Sequence, residues 1–383
     1  MVERVDVALS IFAWARQRAG KSVADLISKF PRLPEWENGT VKPTMRQLEN
    51  YAEATYTPFG YFFLPAPIQE PLPLPDFRTI RNEAVENPSA DLLETIYICE
   101  RRQDWYLDYA ARRDLDPLGF VGSVTTRTPI TQAALQIAEV LGLNWETRNR
   151  YAKWEDALFG LATLAEDAGI LVMISGIVGS NTHRVLDPNE FRGFALADST
   201  APVVFVNGTD TKAAQIFTLA HEIAHVWLGQ SAVSRPDLHV IESNDIEKWC
   251  NSVAAELLVP LAHLRQEYRA GGDLTKELDR LARVYKVSTL VVLRRIFDLT
   301  NWNWDSYREQ FENELDRVMG KARRAGSGGD YYNTQQYRLG KRFIRALVAD
   351  TKEGGTLHRQ AFELSGSHNP AVFHKLGEKV GAL

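Results

Sequence analysis

The segment His221-Glu222-Ile223-Ala224-His225 constrains this chain more than any other. It lies in a run whose apolar residues, Ala213, Ile216, Leu219, Ile223, Val226 and Trp227, recur at helical spacing. Four residues make about one helical turn, so both imidazoles leave one face and can converge on a single ion. Glu222 lies about 100° around the helix from His221 and can face a metal-bound water without taking a coordination position. Asp210 or Thr209 is the expected N-cap of this helix.

A catalytic zinc wants three protein ligands and an open position for water. Residues 243–259 form a second helical pattern, stopped by Pro260, that contains Glu247, Asn251 and Glu256. Glu247 and Asn251 are four apart and share a face, so Glu247 is the expected third ligand and Asn251 a partner that orients a histidine. Glu256, nine residues beyond Glu247, points about 180° away. It stands as an alternative with Glu242 and Asp245. His239 and His263 could replace the carboxylate or stabilise an oxyanion, against a surface or structural role, and Tyr268 has the same ambiguity.

The 383 residues, 45% hydrophobic, suffice for two or three domains with cores of their own. A net charge of -5 argues against a chain built to coat nucleic acid or an anionic membrane. Cys99 and Cys250 have no knuckle or disulfide spacing and read as small buried hydrophobes in a reducing compartment. The charged N-terminus lacks a secretory signal, and no apolar run reaches membrane-spanning length, so the expected location is cytoplasmic.

Residues 1–64 read as a small helical unit, with Thr44 as a helix cap. Prolines at 65, 67, 71, 73 and 75 mark residues 65–85 as an extended linker. Residues 86–300 carry helical patterns through Leu92–Ala110, Thr131–Leu141 and Ala152–Ala168. Strand patterns follow at Gly169–Ile174, Phe191–Leu196 and Pro202–Val206, ahead of the histidine helix. Residues 301–383 read as a C-terminal helical segment interrupted by Gly326-Ser327-Gly328-Gly329.

Three runs together carry a resemblance: Phe217-Thr218-Leu219-Ala220-His221-Glu222-Ile223-Ala224-His225, Glu247-Lys248-Trp249-Cys250-Asn251, and Ala254-Ala255-Glu256-Leu257-Leu258-Val259-Pro260. Over roughly residues 155–300 the chain resembles the ImmA/IrrE family of bacterial and phage metallopeptidases. Phe191-Arg192-Gly193-Phe194 and Pro202-Val203-Val204-Phe205-Val206-Asn207 resemble the strands that family places before its metal helix. The resemblance implies an α+β fold, with a mostly helical zincin-like peptidase domain and a small β-sheet. It implies zinc on His221, His225 and Glu247, Glu222 as base, and cleavage of a helix-turn-helix repressor or antitoxin encoded nearby, in stress, mobile-element or phage-defence systems. Lys248-Trp249-Cys250 depart from the usual small or acidic residues and place an indole near the site.

The N-terminal unit resembles a Cro/repressor-type helix-turn-helix, in Ser22-Val23-Ala24-Asp25-Leu26 and in Trp36-Glu37-Asn38-Gly39 followed by Lys42-Pro43-Thr44. Pro31 and Pro34 leave little room for a recognition helix, so weak DNA reading at most is expected. A second such pattern, from Leu281 through Val287-Ser288 to Arg294-Arg295, is assigned to the peptidase fold. The rival from another class is a DNA-binding regulator or antitoxin with non-catalytic zinc, indifferent to loss of Glu222.

Overall fold

In a computed structural model, the described residues are 4–76, 79–80, 83–84, 88–234, 236, 244–300, 302–322, 336–367 and 369–382. The chain divides into two compact units, Met1–Pro73 with Val85–Tyr97, and Leu74–Ala84 with Ile98–Leu383.

In the first unit, helices α1 (Leu9–Arg18), α2 (Val23–Ile27), α3 (Leu33–Glu37) and α4 (Met45–Ala54) enclose a core rich in aromatic rings. Phe12, Phe30, Trp36 and Phe62 surround Tyr51, whose hydroxyl donates to the Phe12 carbonyl at 2.9 Å, so the one buried phenol is paired. Capping boxes at Ser22/Asp25 and Thr44/Gln47 satisfy the first amides of α2 and α4. The prolines do not prevent a helix after α2, because Pro34 falls in the first turn of α3, where its missing N–H costs nothing. Yet α3 has only five residues, and it turns Leu33 and Trp36 into the core.

The second unit is built on a mixed four-stranded sheet of order β3 (Leu171–Ser175), β5 (Val203–Asn207), β4 (Gly193–Leu196) and β6 (Ala232–Ser234), beside a short antiparallel pair, β1 (Thr79–Ile80) with β2 (Glu83–Ala84). β3 and β5 are parallel; β4 is antiparallel to both β5 and β6. All four strands are buried along their whole length, so they read as continuous apolar runs rather than as alternation. β6 is absent from the sequence expectation because three residues, Ala-Val-Ser, hold too little pattern to register. Its outer edge is partly taken by the chain itself: Val233 N–H donates to the Pro75 carbonyl at 3.0 Å, and Asp76 bridges Val233 in parallel.

Around this sheet lie α5 (Ala90–Arg112), which contributes Ile98 onward to this unit, then α6 (Ile130–Leu141), α7 (Trp145–Asn149), α8 (Trp154–Asp167), α9 (Lys212–Leu228) and α10 (Asp245–Leu258). After them come α11 (Leu261–Glu267), α12 (Leu274–Tyr285), α13 (Thr289–Leu299) and α14 (Trp304–Ala322). α12 and α13, the second helix-turn-helix-like pattern, bury Leu281, Val287 and Arg295 within this unit.

The helices beyond residue 301 fall within the second unit. α14 packs Tyr307 and Trp304 on Phe297 of α13. α15 (Lys341–Lys352) lies on α8 and β3, with α16 (His358–Ser365) and α17 (Pro370–Lys379) on its far side. Gly340, φ +81°, permits this: a Cβ there would lie 2.6 Å from the Val172 carbonyl. The glycine-rich stretch 326–329 lies outside the described residues. No helix among the described residues is long and apolar enough to cross a membrane.

Candidate metal centre

α9 is buried from Gln215 to Trp227, between the sheet and the helices α8 and α10. Its N-cap is Thr211, which accepts from the Ala214 amide at 3.2 Å. Asp210, expected in that role, pairs with Arg192 at 3.3 Å, and Thr209 donates to Asn207. Ser/Thr and Asp in succession offer several chemically equivalent caps, and the turn after β5 selects the last. Gly229 in the left-handed region closes the helix.

His221 and His225 project from one face, with their Nε2 atoms 3.1 Å apart. α10 crosses α9 so that Glu247, in its first turn, meets both: Oε2 lies 3.2 Å from His221 Nε2 and Oε1 3.0 Å from His225 Nε2. The three side chains are at most 1% exposed.

The arrangement fits a divalent metal. Ligands at about 2.0–2.1 Å from a tetrahedral ion lie about 3.3 Å from one another, close to the three separations observed. Glu247 Oε1, despite its 3.0 Å approach to His225, makes no hydrogen bond of acceptable angle, as expected of atoms aimed at a common point rather than at each other. Burial opposes ionisation of Glu247, but the two imidazoles outweigh it and hold the carboxyl at about 2. Burial also lowers His225, favouring the neutral ring. An anionic carboxylate is the protonation state a metal requires of Glu247.

Glu222 is fully buried and stays outside this donor set. Neither of its oxygens has a hydrogen-bond partner among the described residues. Burial pushes its carboxyl well above the usual range, and the Glu247 charge adds to the effect, while the nearby Ser234 hydroxyl, outside good hydrogen-bond geometry, opposes it weakly. The side chain lies against β4, where a Cβ on Gly193 would come within 2.8 Å of Glu222 Oε1 and 2.7 Å of Thr218 Cγ2. Gly193 thus opens the space that the carboxylate occupies. A glycine inside an apolar strand was the available signal, since it marks close approach by another group. Ser234 on β6, 3.4 Å from His225 Nε2 and fully buried, was also missed.

The remaining candidates fall elsewhere. Glu256 is ion-paired to Arg295 and accepts from the Leu261 amide, on the opposite side of α10. His263 Nδ1 is 2.7 Å from the Tyr285 hydroxyl, with its ring 4.1 Å from that of Trp145. Tyr268 ends α11 and packs on the hydrophobic core, and Asp245 pairs with Lys248 on the surface. Trp249 turns away from the metal ligands and donates from Nε1 to the Thr128 carbonyl at 3.0 Å, because two residues along a helix is about 200°. Asn251 is buried on the Glu247 face, and its Oδ1 has no partner among the described residues. Asn244 caps α10; Ser243, His239 and Glu242 lie outside the described residues.

The family described as IrrE N-terminal-like domain, a peptidase family, matches residues 165–297, which run from the end of α8 through α13 and include the whole donor set. The metal-bearing domain belongs to the ImmA/IrrE peptidase family. Within this IrrE-like domain, the sheet, α9 and α10 are the parts that hold the three ligands. A second family, a domain of unknown function, matches residues 339–379, which correspond to α15–α17. A search of curated proteins finds no match.

Proposed function

We propose that this chain is a zinc-dependent endopeptidase that cuts a helix-turn-helix repressor or antitoxin encoded nearby, acting in the cytoplasm. The observation that carries the reading is the division of labour on α9 and α10: three side chains converge as ligands, while Glu222 is held beside them as a fully buried carboxylate outside the donor set. Two imidazoles and one carboxylate form a donor set suited to zinc, with a coordination position left open. A zinc ion held by His221, His225 and Glu247 would supply Lewis acidity to a peptide carbonyl and would make water more acidic.

Glu222 then does the proton work. Its raised affinity for a proton, set by burial, suits it to take one from the attacking water and pass it to the leaving amide nitrogen. Asn251 is proposed to hold a histidine ring in place. The substrate would lie extended along the sheet edge, where main-chain hydrogen bonds tolerate varied side chains. On β6 this position is shared with Pro75–Asp76, so a substrate pairing with Val233 displaces that segment.

Co-expression with the product of the adjacent gene, followed by electrophoresis, tests the reading. Wild-type protein should yield a shortened fragment and Glu222→Gln should not, at equal zinc content. A wild-type protein that changes expression without cleavage, matched by an equally active Glu222→Gln, would favour a DNA-binding regulator with non-catalytic zinc.

A further inference from the structure

A cavity of about 590 Å3 opens between α5 and the end of α16, lined by Ile98, Arg101, Arg102, Trp105, Leu364 and Gly366 among others. Its volume falls in the range of small-molecule sites, about 300–1,000 Å3. All of these residues belong to the second unit, and none is a ligand of the metal centre.

Arg102, 6% exposed, lines this cavity without a carboxylate partner among the described residues. A guanidinium has five N–H donors. Here Nε donates to the Leu364 carbonyl at 3.0 Å, and Nη1 reaches only the Met173 thioether, a weak acceptor, at 3.5 Å. The Leu364 carbonyl, at the end of α16, offers at most about half a charge in compensation. Half-buried Arg148 shows the alternative: its two Nη atoms donate to the carbonyls of Leu257, Leu258 and Tyr285. A buried cation left with spare donors at a cavity wall is costly unless an anion meets it. Burial pushes Arg102 down to about 10, and the nearby charges of Arg101 and Arg338 act in the same direction.

The rim is mixed but acidic on balance, with exposed Arg101 set against three carboxylates. Asp104 and Asp108 are exposed and in no ion pair among the described residues, and Glu363, also exposed, is tied to Arg359. With Glu363 tied to Arg359, Asp104 and Asp108 outnumber Arg101, so an ammonium is favoured there over a second anionic group. We propose that the cavity binds a short zwitterionic peptide, with its carboxylate on the Arg102 fork, its ammonium at Asp104 and Asp108, and its apolar part along Trp105 and Leu364. A planar carboxylate matches the guanidinium two bonds at a time.

Calorimetric titration of the full-length protein with L-leucyl-L-leucine tests this. Binding should weaken at least tenfold when the peptide is capped as L-leucyl-L-leucinamide or as N-acetyl-L-leucyl-L-leucine. Arg102→Met should weaken it equally while the chain stays folded, since the variant removes a poorly compensated charge and keeps an apolar stem. Gln360→Trp, at the exposed mouth, should block binding with the guanidinium untouched, so the proposal stays testable if Arg102→Met fails to fold. His221→Ala should leave affinity unchanged. Three results would overturn the proposal: no binding of the uncapped dipeptide, undiminished binding by both cavity variants, or loss of binding in His221→Ala, which would place the peptide at the metal centre.

Discussion

Helix α10 carries two inward carboxylates nine residues apart, and they have met opposite fates. Glu256 finds a permanent cation, Arg295, and a backbone amide, Leu261 N–H. Glu247 finds two imidazoles and no permanent cation. The same side chain on the same helix is an internal ion pair at one end and one corner of an unfinished polyhedron at the other. Position on a helix therefore says little about a buried carboxylate until its counter-charge is identified, and where the counter-charge is missing from the chain it has to come from outside.

The largest expected effect breaks this comparison directly. Glu247→Ala, His221→Ala and His225→Ala should each take bound zinc from one per chain to near none by elemental analysis. Glu256→Ala should leave zinc in place and instead cost about 1–3 kcal/mol of folding free energy, the usual consequence of removing a hydrogen-bonded charge, since Arg295 keeps Asp298 at 3.0 Å and the Val259 carbonyl. Zinc loss in Glu256→Ala with retention in Glu247→Ala would invert the assignment of the two ends.

Glu222→Gln sharpens it next. Cleavage of the partner protein should fall by about 10²–10⁴ with zinc unchanged, which separates a base from a ligand on adjacent residues. Gly193→Ala should then act on both at once: the new methyl group meets Glu222 Oε1, Thr218 Cγ2 and the Phe205 carbonyl within 2.8 Å. Overpacking of this kind costs on the order of 1–3 kcal/mol, readable by chemical denaturation, and should lower the cleavage rate more than it lowers zinc content. A Gly193→Ala protein with full stability and activity would mean that β4 yields easily under Glu222.

The smallest effect concerns a buried carboxylate away from the metal centre, Glu166. Glu166 accepts from the Arg342 amide at 3.0 Å, and burial raises its carboxyl to about 7. With the folded value above the ordinary 4.5, the fold favours the protonated form. Its contribution is fully present below about 4.5 and is lost as pH rises through about 7, with a slope of at most about 1.4 kcal/mol per pH unit. Glu166→Gln should flatten that part of the stability-pH curve. An unchanged curve would mean that Glu166 stays ionised in the fold.

The ligands were legible because helical geometry is local arithmetic: four residues bring His221 and His225 to one face, and nine put Glu256 opposite Glu247. The three strands before α9 were legible for a similar reason, as short apolar runs between turn residues. What escaped depends on partners distant in sequence. Gly193 is explained only by the approach of α9 to β4, β6 only by its pairing with β4, and the setting of Arg102 only by the arrival of α16 some 260 residues later. The cap of α9 was misplaced by one or two residues because Thr209, Asp210 and Thr211 are all competent and the turn decides. The indole of Trp249, expected near the site, instead donates to the Thr128 carbonyl, because neighbours along a helix point in different directions.

The contact of Pro75 and Asp76 with β6 also bears on how this protein can be divided for laboratory work. A fragment begun near residue 98 would keep the ligands, the sheet and every helix from α6 on, but would strip the outer margin of β6. The Val233 N–H would lose its acceptor, and a bare strand margin is a template on which a second molecule can add itself. Such a fragment should therefore self-associate on concentration, whereas one begun at Leu74 should remain dispersed.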